Sequence, residues 1–235
     1  MYGFYYYDYT YFLFMLPALL LSLWAQIKVN TTFSKYSKVR NSRGLTGADA
    51  AYKVLSHNDV TGVSLEHIHG NLNDHFDPKT NVIRLSDSVY SQTSVAAVGV
   101  AAHEAGHAVQ KATDYSPMKL RAVLVPISRF GSFLAMPLIF IGLLLPVQYD
   151  FIVTLGIIFF SFSVLFQIIT LPVEINASNR AIQTLEQTGT LEGEELEGAK
   201  KVLKAAAMTY LAATFAAVMS LLRLLLIFGG RRDRN

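Results

Sequence analysis

His103-Glu104-Ala105-Gly106-His107 is the stretch that decides how this chain is read. On a helix, His103 and His107 lie one turn apart on one face, so two imidazoles can grip a single metal ion. Glu104 stands beside the pair, where a carboxylate can take a proton from an attacking water. This is the H-E-x-x-H layout of a zinc hydrolase. Val100-Ala101-Ala102 precedes the stretch and Ala108-Val109 follows it, so the helix is uncharged and small where a metal site must pack closely. In the competing reading, a buried helix whose histidines bond only to backbone, Glu104 would sit in an apolar wall without a purpose.

The region around this helix reads as a compact domain. Thr46 is an N-cap with Asp49 three residues on, opening a short helix that runs to about His57. Val63 to Ile68 and Asn81 to Leu85 read as strands, and Asn71 to Asn81 as a turn-rich connection containing Asp77-Pro78. Ser94 caps the motif helix, predicted over Val95 to Ala112. A strand pair thus precedes the zinc helix. The strand near Val82 is expected to be an edge that holds an extended peptide by main-chain hydrogen bonds.

Composition sets the setting of that domain. Of 235 residues, 52% are hydrophobic and 16% charged, a balance too apolar for an ordinary soluble domain. There is no cysteine, so zinc must be held by His, Asp or Glu. The formal net charge is +3, but the basic residues flank apolar stretches instead of forming a patch, which argues for membrane topology and against a nucleic-acid partner. Four stretches can span a hydrocarbon core of about 30 Å: roughly 11–27, 130–147, 151–171 and 208–228. The first resembles a signal peptide in length, but no Lys or Arg precedes it and no small-residue cleavage site follows Leu23-Trp24-Ala25-Gln26. With Tyr2, Tyr5, Tyr6, Tyr7 and Tyr9 as an interfacial belt, it is expected to be a retained anchor.

Charge orients the spans. Lys28, Lys35, Lys38, Arg40 and Arg43 follow the first, and Lys111, Lys119, Arg121 and Arg129 precede the second, so the loop between them is expected to be cytoplasmic. Gln148-Tyr149-Asp150 carries no Lys or Arg and is expected outside. Arg180, Lys200, Lys201 and Lys204 return the chain to the cytoplasmic side. The fourth stretch departs from the rule, because alternation places Arg231, Arg232 and Arg234 outside and Arg223 falls within the apolar run. Either it crosses with Arg223 snorkelling or paired, or it does not cross; a crossing is the expectation. The acidic run Glu192 to Glu197 suits the solvated start of the last long helix.

A catalytic zinc keeps three protein ligands and an open position. His107 is the last histidine, so a downstream third ligand is Asp or Glu. The metzincin pattern is absent: Thr113 stands where its third His would be, and Gln110 where its Gly would be. Asp150 lies on the outer hairpin, Glu186 and the run from Glu192 look solvated, and Asp114 is too close to bend back onto its own helix easily. Glu174 follows Pro172 at the cytoplasmic end of the third span, and Ala177, Ser178 and Ala181 on the same side let its helix approach another. A Glu paired with Arg180 or a Lys at the interface is the alternative. Among the other histidines, His57 has no assigned role, and His67 and His69 alternate on a strand without an evident third ligand. His75 suits a turn-stabilising role more than carbonyl polarisation. Tyr210 is a conceivable oxyanion donor that the sequence does not place.

His103-Glu104-Ala105-Gly106-His107, Asn73-Asp74-His75-Phe76-Asp77-Pro78 and Leu171-Pro172-Val173-Glu174-Ile175-Asn176-Ala177-Ser178 together resemble the YugP-like family of membrane zinc metallopeptidases, over nearly the whole chain. The chain is also distantly similar to HtpX-type membrane proteases. In that wider pattern an Asp lies four residues after the ligand glutamate, where this chain has Ser178. The resemblance implies a zinc endopeptidase of the bacterial plasma membrane, multi-pass, its site facing the cytoplasm.

The expected fold is therefore mainly α, with about four transmembrane helices and a zincin-like cytoplasmic domain of zinc helix plus small β-hairpin or sheet. Its parts are an anchor (1–27), the zincin-like domain (28–125), a transmembrane hairpin (126–171), a cytoplasmic helix bearing the third ligand (172–205) and a C-terminal hydrophobic helix with a basic tail (206–235). One zinc per chain is expected on His103, His107 and Glu174, with Glu104 as general base. A protein or peptide is the substrate, and the lipid bilayer is the other partner. The rivals are an intramembrane zinc protease and a non-enzymatic, zinc-stabilised membrane scaffold or chaperone.

Overall fold

The computed structural model describes residues 9–232; the tyrosines at 2–7 and Arg234 lie outside them. The described residues are 74% helical, with one small sheet among them. In order, a π-helical turn (Tyr11–Met15) leads into α1 (Leu16–Tyr36), followed by α2 (Gly47–His57), β1 (Ser64–Ile68), β2 (His75–Asp77), β3 (Val82–Ser86), α3 (Val95–Ala112), α4 (Ser116–Leu144), α5 (Asp150–Gln187) and α6 (Gly193–Arg232). These form two compact units. One holds residues 25–119 and 170–209; the other holds the residues up to 24, 120–169 and those from 210 on.

In the sheet-bearing unit, local chemistry starts both short helices where the sequence predicts. Thr46 Oγ1 accepts from the Asp49 amide at 3.1 Å, and Asp49 accepts from the Thr46 amide at 2.9 Å, closing a capping box on α2. Ser94 Oγ accepts from the Ala97 amide at 3.2 Å and opens α3. Burial then organises the core. α3 is covered nearly all round, from Val95 to Gln110, by Val54 and Leu55 of α2, Ile83 and Leu85 of β3, and Leu185, Leu191 and Leu203. A helix made of Ala, Gly and Val can be enclosed in this way because its neighbours can come close on every side.

The sheet corrects two expectations. Residues 71–81 are not only turns, since His75–Asp77 form β2. The strand near Val82 is not an edge: the order is β1-β3-β2, so β3 is central, parallel to β1 and antiparallel to β2. Its burial explains this, because Val82, Ile83, Leu85 and Ser86 are buried and only Arg84 is partly exposed, as suits a strand covered on both faces. Arg84 reaches Glu66 of β1 at 3.0 Å and Asp77 of β2 at 3.4 Å, joining the three strands on one face. The β2–β3 turn is locked by Asp77, which accepts from the Lys79 amide and the Thr80 hydroxyl at 2.9 and 2.8 Å. These two bonds hold its carboxyl down to about 2. Lys111, at the end of α3, donates to the Pro78 carbonyl and, at 2.6 Å, to Asn81 Oδ1, which ties the turn to the motif helix.

In the other unit, small residues let α4 and α5 pair as an antiparallel hairpin. A Cβ on Gly131 would meet the Phe159 carbonyl at 2.6 Å, and one on Gly156 the Ala135 carbonyl at 2.9 Å; Ser132 and Ser163 share a hydrogen bond at 2.7 Å. Among the described residues, four helices are long and apolar enough to cross a membrane, over Tyr11–Tyr36, Ser116–Leu144, Asp150–Gln187 and Gly193–Phe228. The last is included, as expected. α6, with 40 residues, is about 60 Å long, twice the hydrocarbon thickness. Arg223 is paired with an aromatic ring, its guanidinium carbon 5.4 Å from the Tyr11 ring centroid. With Ser220 against Met15, this sets α6 antiparallel to α1. Glu194 and Glu195 occupy the first turn of α6, where negative charge meets the positive helix end.

The capping box makes a simple test. Thr46→Ala removes both the hydroxyl acceptor and the packing of Asp49 against it, a loss of about 1 kcal/mol. In thermal unfolding of the detergent-purified protein it should lower the midpoint by about 2–4 °C, and an unchanged midpoint would contradict the capping role.

Candidate metal centre

α3 and α5 meet at Gly106. A Cβ there would lie 2.6 Å from the Ala177 carbonyl oxygen, so only glycine lets the two backbones come this close. Ala177 and Ala181 on α5 are fully buried, and they keep that side of α5 flat. The approach carries Glu174, one turn before Ala177, to the histidines of α3. Glu174 Oε2 lies 3.2 Å from His103 Nε2 and 3.4 Å from His107 Nε2. The two imidazoles stand nearly perpendicular, their ring centroids 4.7 Å apart. Among the described residues, this is the group of three or more His, Asp or Glu whose ligand atoms all fall within 4.8 Å of one another.

The donor set fits zinc. Two imidazole nitrogens and a carboxylate oxygen bind Zn²⁺ at about 2.0–2.2 Å in a tetrahedral arrangement, which puts neighbouring ligand atoms about 3.3–3.5 Å apart. The observed separations of 3.2 and 3.4 Å agree with this. The rings are also held from behind. His103 Nδ1 lies 3.0 Å from Ser178 Oγ, and His107 Nδ1 lies 3.0 Å from Gln110 Oε1. The position where the wider pattern has Asp thus still reaches His103, through a hydroxyl.

Electrostatics point the same way. Glu174 is 2% exposed and sits three residues beyond the apolar stretch read as the third span. Burial alone would raise its carboxyl, but the bonds to His103 and His107 hold it well below the usual carboxylate range. Burial works against a charged His107, yet the bond it donates to Glu174 and the charges of Glu104 and Glu174 push the ring above its ordinary value. A site that favours a cation among these three groups is one where a metal can replace protons.

Glu104 is buried beside this cluster, and β2 holds it. Glu104 Oε2 accepts from the Phe76 amide at 2.9 Å. That amide is therefore not used in the β2–β3 ladder; it points to the free edge of the sheet. Asp74, just before β2, accepts from the amide and hydroxyl of Ser86 at 2.7 and 3.1 Å, which pins the start of β2 to the end of β3. Burial pushes the Asp74 carboxyl up; the Ser86 bonds oppose this and the nearby charge of Glu104 adds to it. The sequence reading missed β2 in this role, although the quoted Asn73–Pro78 motif contains it.

The remaining candidates lie elsewhere. Asp114 is exposed and pairs with Lys119 at 2.8 Å. Glu192 pairs with Arg43 at 3.0 Å. Arg180 bonds to Asn176 at 2.9 Å. His75 Nδ1 bonds to the Asn73 carbonyl at 2.9 Å, bracing the turn into β2. His67 and Asp87 form an exposed pair at 2.7 Å with His69 further off at 3.7 Å. His57 contacts Gln187 at 3.0 Å. Tyr210 belongs to the other unit.

A sequence profile for the family described as "Putative neutral zinc metallopeptidase" matches residues 11–229. A curated relative, the "Putative membrane protease YugP" of Bacillus subtilis (strain 168), is 46% identical over 225 residues, covering 95% of this chain and 99% of that one. No solved structure matches the chain. The chain belongs to this zinc metallopeptidase family.

A matched pair of substitutions in α3 tests the close approach. Gly106→Ala drives a methyl into the Ala177 carbonyl, while at Gly99 the nearest atom is the Ala199 Cβ at 3.4 Å, an ordinary contact. Overpacking costs about 1–3 kcal/mol, or roughly 5- to 150-fold in an equilibrium. Chelator competition should therefore show zinc affinity falling at least about fivefold for Gly106→Ala and little change for Gly99→Ala. Equal affinities would contradict the account.

Proposed function

We propose that this chain is a zinc-dependent membrane endopeptidase that hydrolyses peptide bonds in proteins of the membrane or its cytoplasmic face. The observation that carries the reading is the convergence of His103, His107 and Glu174 beside a carboxylate, Glu104, that a sheet edge holds in place. His103, His107 and Glu174 would hold one zinc ion. When bound, zinc supplies a Lewis acid that makes a water nucleophilic near neutral pH and polarises a carbonyl.

The chain's own residues supply the rest. Glu104 accepts the proton of the attacking water and delivers it to the leaving amine. The Phe76 amide occupies Oε2 and fixes the carboxylate plane, which leaves Oε1 for the proton. Because β3 is central, the edges open to an extended substrate are those of β1 and β2, and the one next to Glu104 is that of β2, where the Phe76 amide is already bonded to Glu104. The absence of cysteine supports a catalytic over a structural zinc, since structural sites mostly fill four positions with thiolates.

The cytoplasmic orientation rests on the basic residues at both ends of the 28–129 segment. α3 is not among the helices apolar enough to cross a membrane, and it is enclosed by protein. Both facts favour an aqueous site over one within the bilayer.

Glu104→Gln keeps the shape of the side chain and removes the base. Cleavage of a denatured protein substrate should fall by about 10²–10⁴-fold, with zinc content unchanged. Full activity in this variant would sink the mechanism.

A further inference from the structure

Gln110 is completely buried, one turn beyond His107 on α3, and all of its hydrogen-bonding capacity faces protein. Its amide Nε2 donates to the Val173 carbonyl at 2.8 Å and to Asn176 Oδ1 at 3.0 Å. Both partners are acceptors: the first is a backbone carbonyl, and the second also accepts from Arg180 Nε at 2.9 Å. A guanidinium has no acceptor of its own, so it fixes which end of Asn176 faces inward, and Asn176 in turn fixes Gln110. Turning the Gln110 amide over would set its oxygen against the Val173 carbonyl, two acceptors in a buried place without a proton between them. Oε1 must therefore face His107 Nδ1, 3.0 Å away.

From this we infer that Gln110 is the positioning residue of the metal centre, fixing the His107 tautomer and tying that ligand to the backbone that carries Glu174. An acceptor opposite Nδ1 requires the proton there and leaves the Nε2 lone pair toward Glu174 and the metal. The same amide holds the carbonyl of Val173, the residue before Glu174, so one side chain sets the spacing of two ligands on two helices. The chain of orientation runs from Arg180 through Asn176 and Gln110 to His107. His103 has no equivalent: Ser178 can donate or accept, and it imposes no tautomer. The inference rests on the zinc reading above and adds to it the residue that enforces the ligand geometry.

The test compares Gln110→Met and Gln110→Glu in the full chain purified in detergent, by zinc competition with a chelator and by ¹⁵N NMR of the histidine rings. Met matches the length and offers no acceptor; Glu keeps an acceptor opposite Nδ1 and loses at least one donor toward α5. Zinc affinity should fall about 10–100-fold in the Met variant and clearly less in the Glu variant, which keeps the acceptor opposite Nδ1 and loses the tie to Val173. In the Met variant, the hydrogen-bonded Nδ1–H signal of one histidine should disappear. A role in packing α3 on α5 alone would weaken zinc equally in both variants, and that outcome overturns the inference. So does wild-type affinity in the Met variant. A wild-type chain that takes up no zinc fails at the earlier step and overturns the zinc reading itself.

Discussion

The structure of the site depends on a contact between two helix backbones. With no side chain at Gly106, α5 comes close enough for the Ala177 carbonyl oxygen to lie 2.6 Å from where a Cβ would sit. A glutamate has a reach of only a few ångströms, so its carboxylate can join two histidines on another helix only if the helices nearly touch. The small residues of the motif helix and the alanines after Glu174 are the sequence counterpart of that requirement. The enclosure of α3 by α2, β3 and the later helices follows, because a close approach on one side leaves no room for bulky residues on the others.

Burial then determines what the polar groups can do. Glu174 is almost fully enclosed, and a carboxylate in such a place needs positive or hydrogen-bonding partners. His103 and His107 provide them, and each ring has its second nitrogen engaged by a neutral group, Ser178 or Gln110. Glu104 is restrained from the opposite direction, by a strand edge. Three atoms that could hold a metal, and the carboxylate beside them, are thus held by helix packing, side-chain bonds and a backbone amide, so the geometry exists before any substrate arrives.

Much of this was legible in the sequence because it is local. The one-turn spacing of His103 and His107, the Thr46–Asp49 box and the Ser94 cap each span a few residues, and the structure contains them where they were expected. Glu174 was reachable by elimination, since His107 is the last histidine and the other acidic residues sit in solvated places. The sheet was harder. β2 is three residues long, too short to show an alternating pattern, and it lies among turn formers. That β3 is central depends on which strands flank it, and strand order is not written in any one segment, although Val82, Ile83 and Leu85 form the near-continuous apolar run of a doubly covered strand. Gln110 was noticed only for what it replaced, because its partners lie 63 and 66 residues away.

The most direct test of the central claim is the zinc content of the detergent-purified chain, wild type beside Glu174→Ala. The account predicts about one zinc per chain in the wild type and a clear loss in the variant, because the helix contact at Gly106 serves to deliver that carboxylate. Full zinc occupancy in Glu174→Ala would contradict it, and would mean that the contact between α3 and α5 does not build the metal centre.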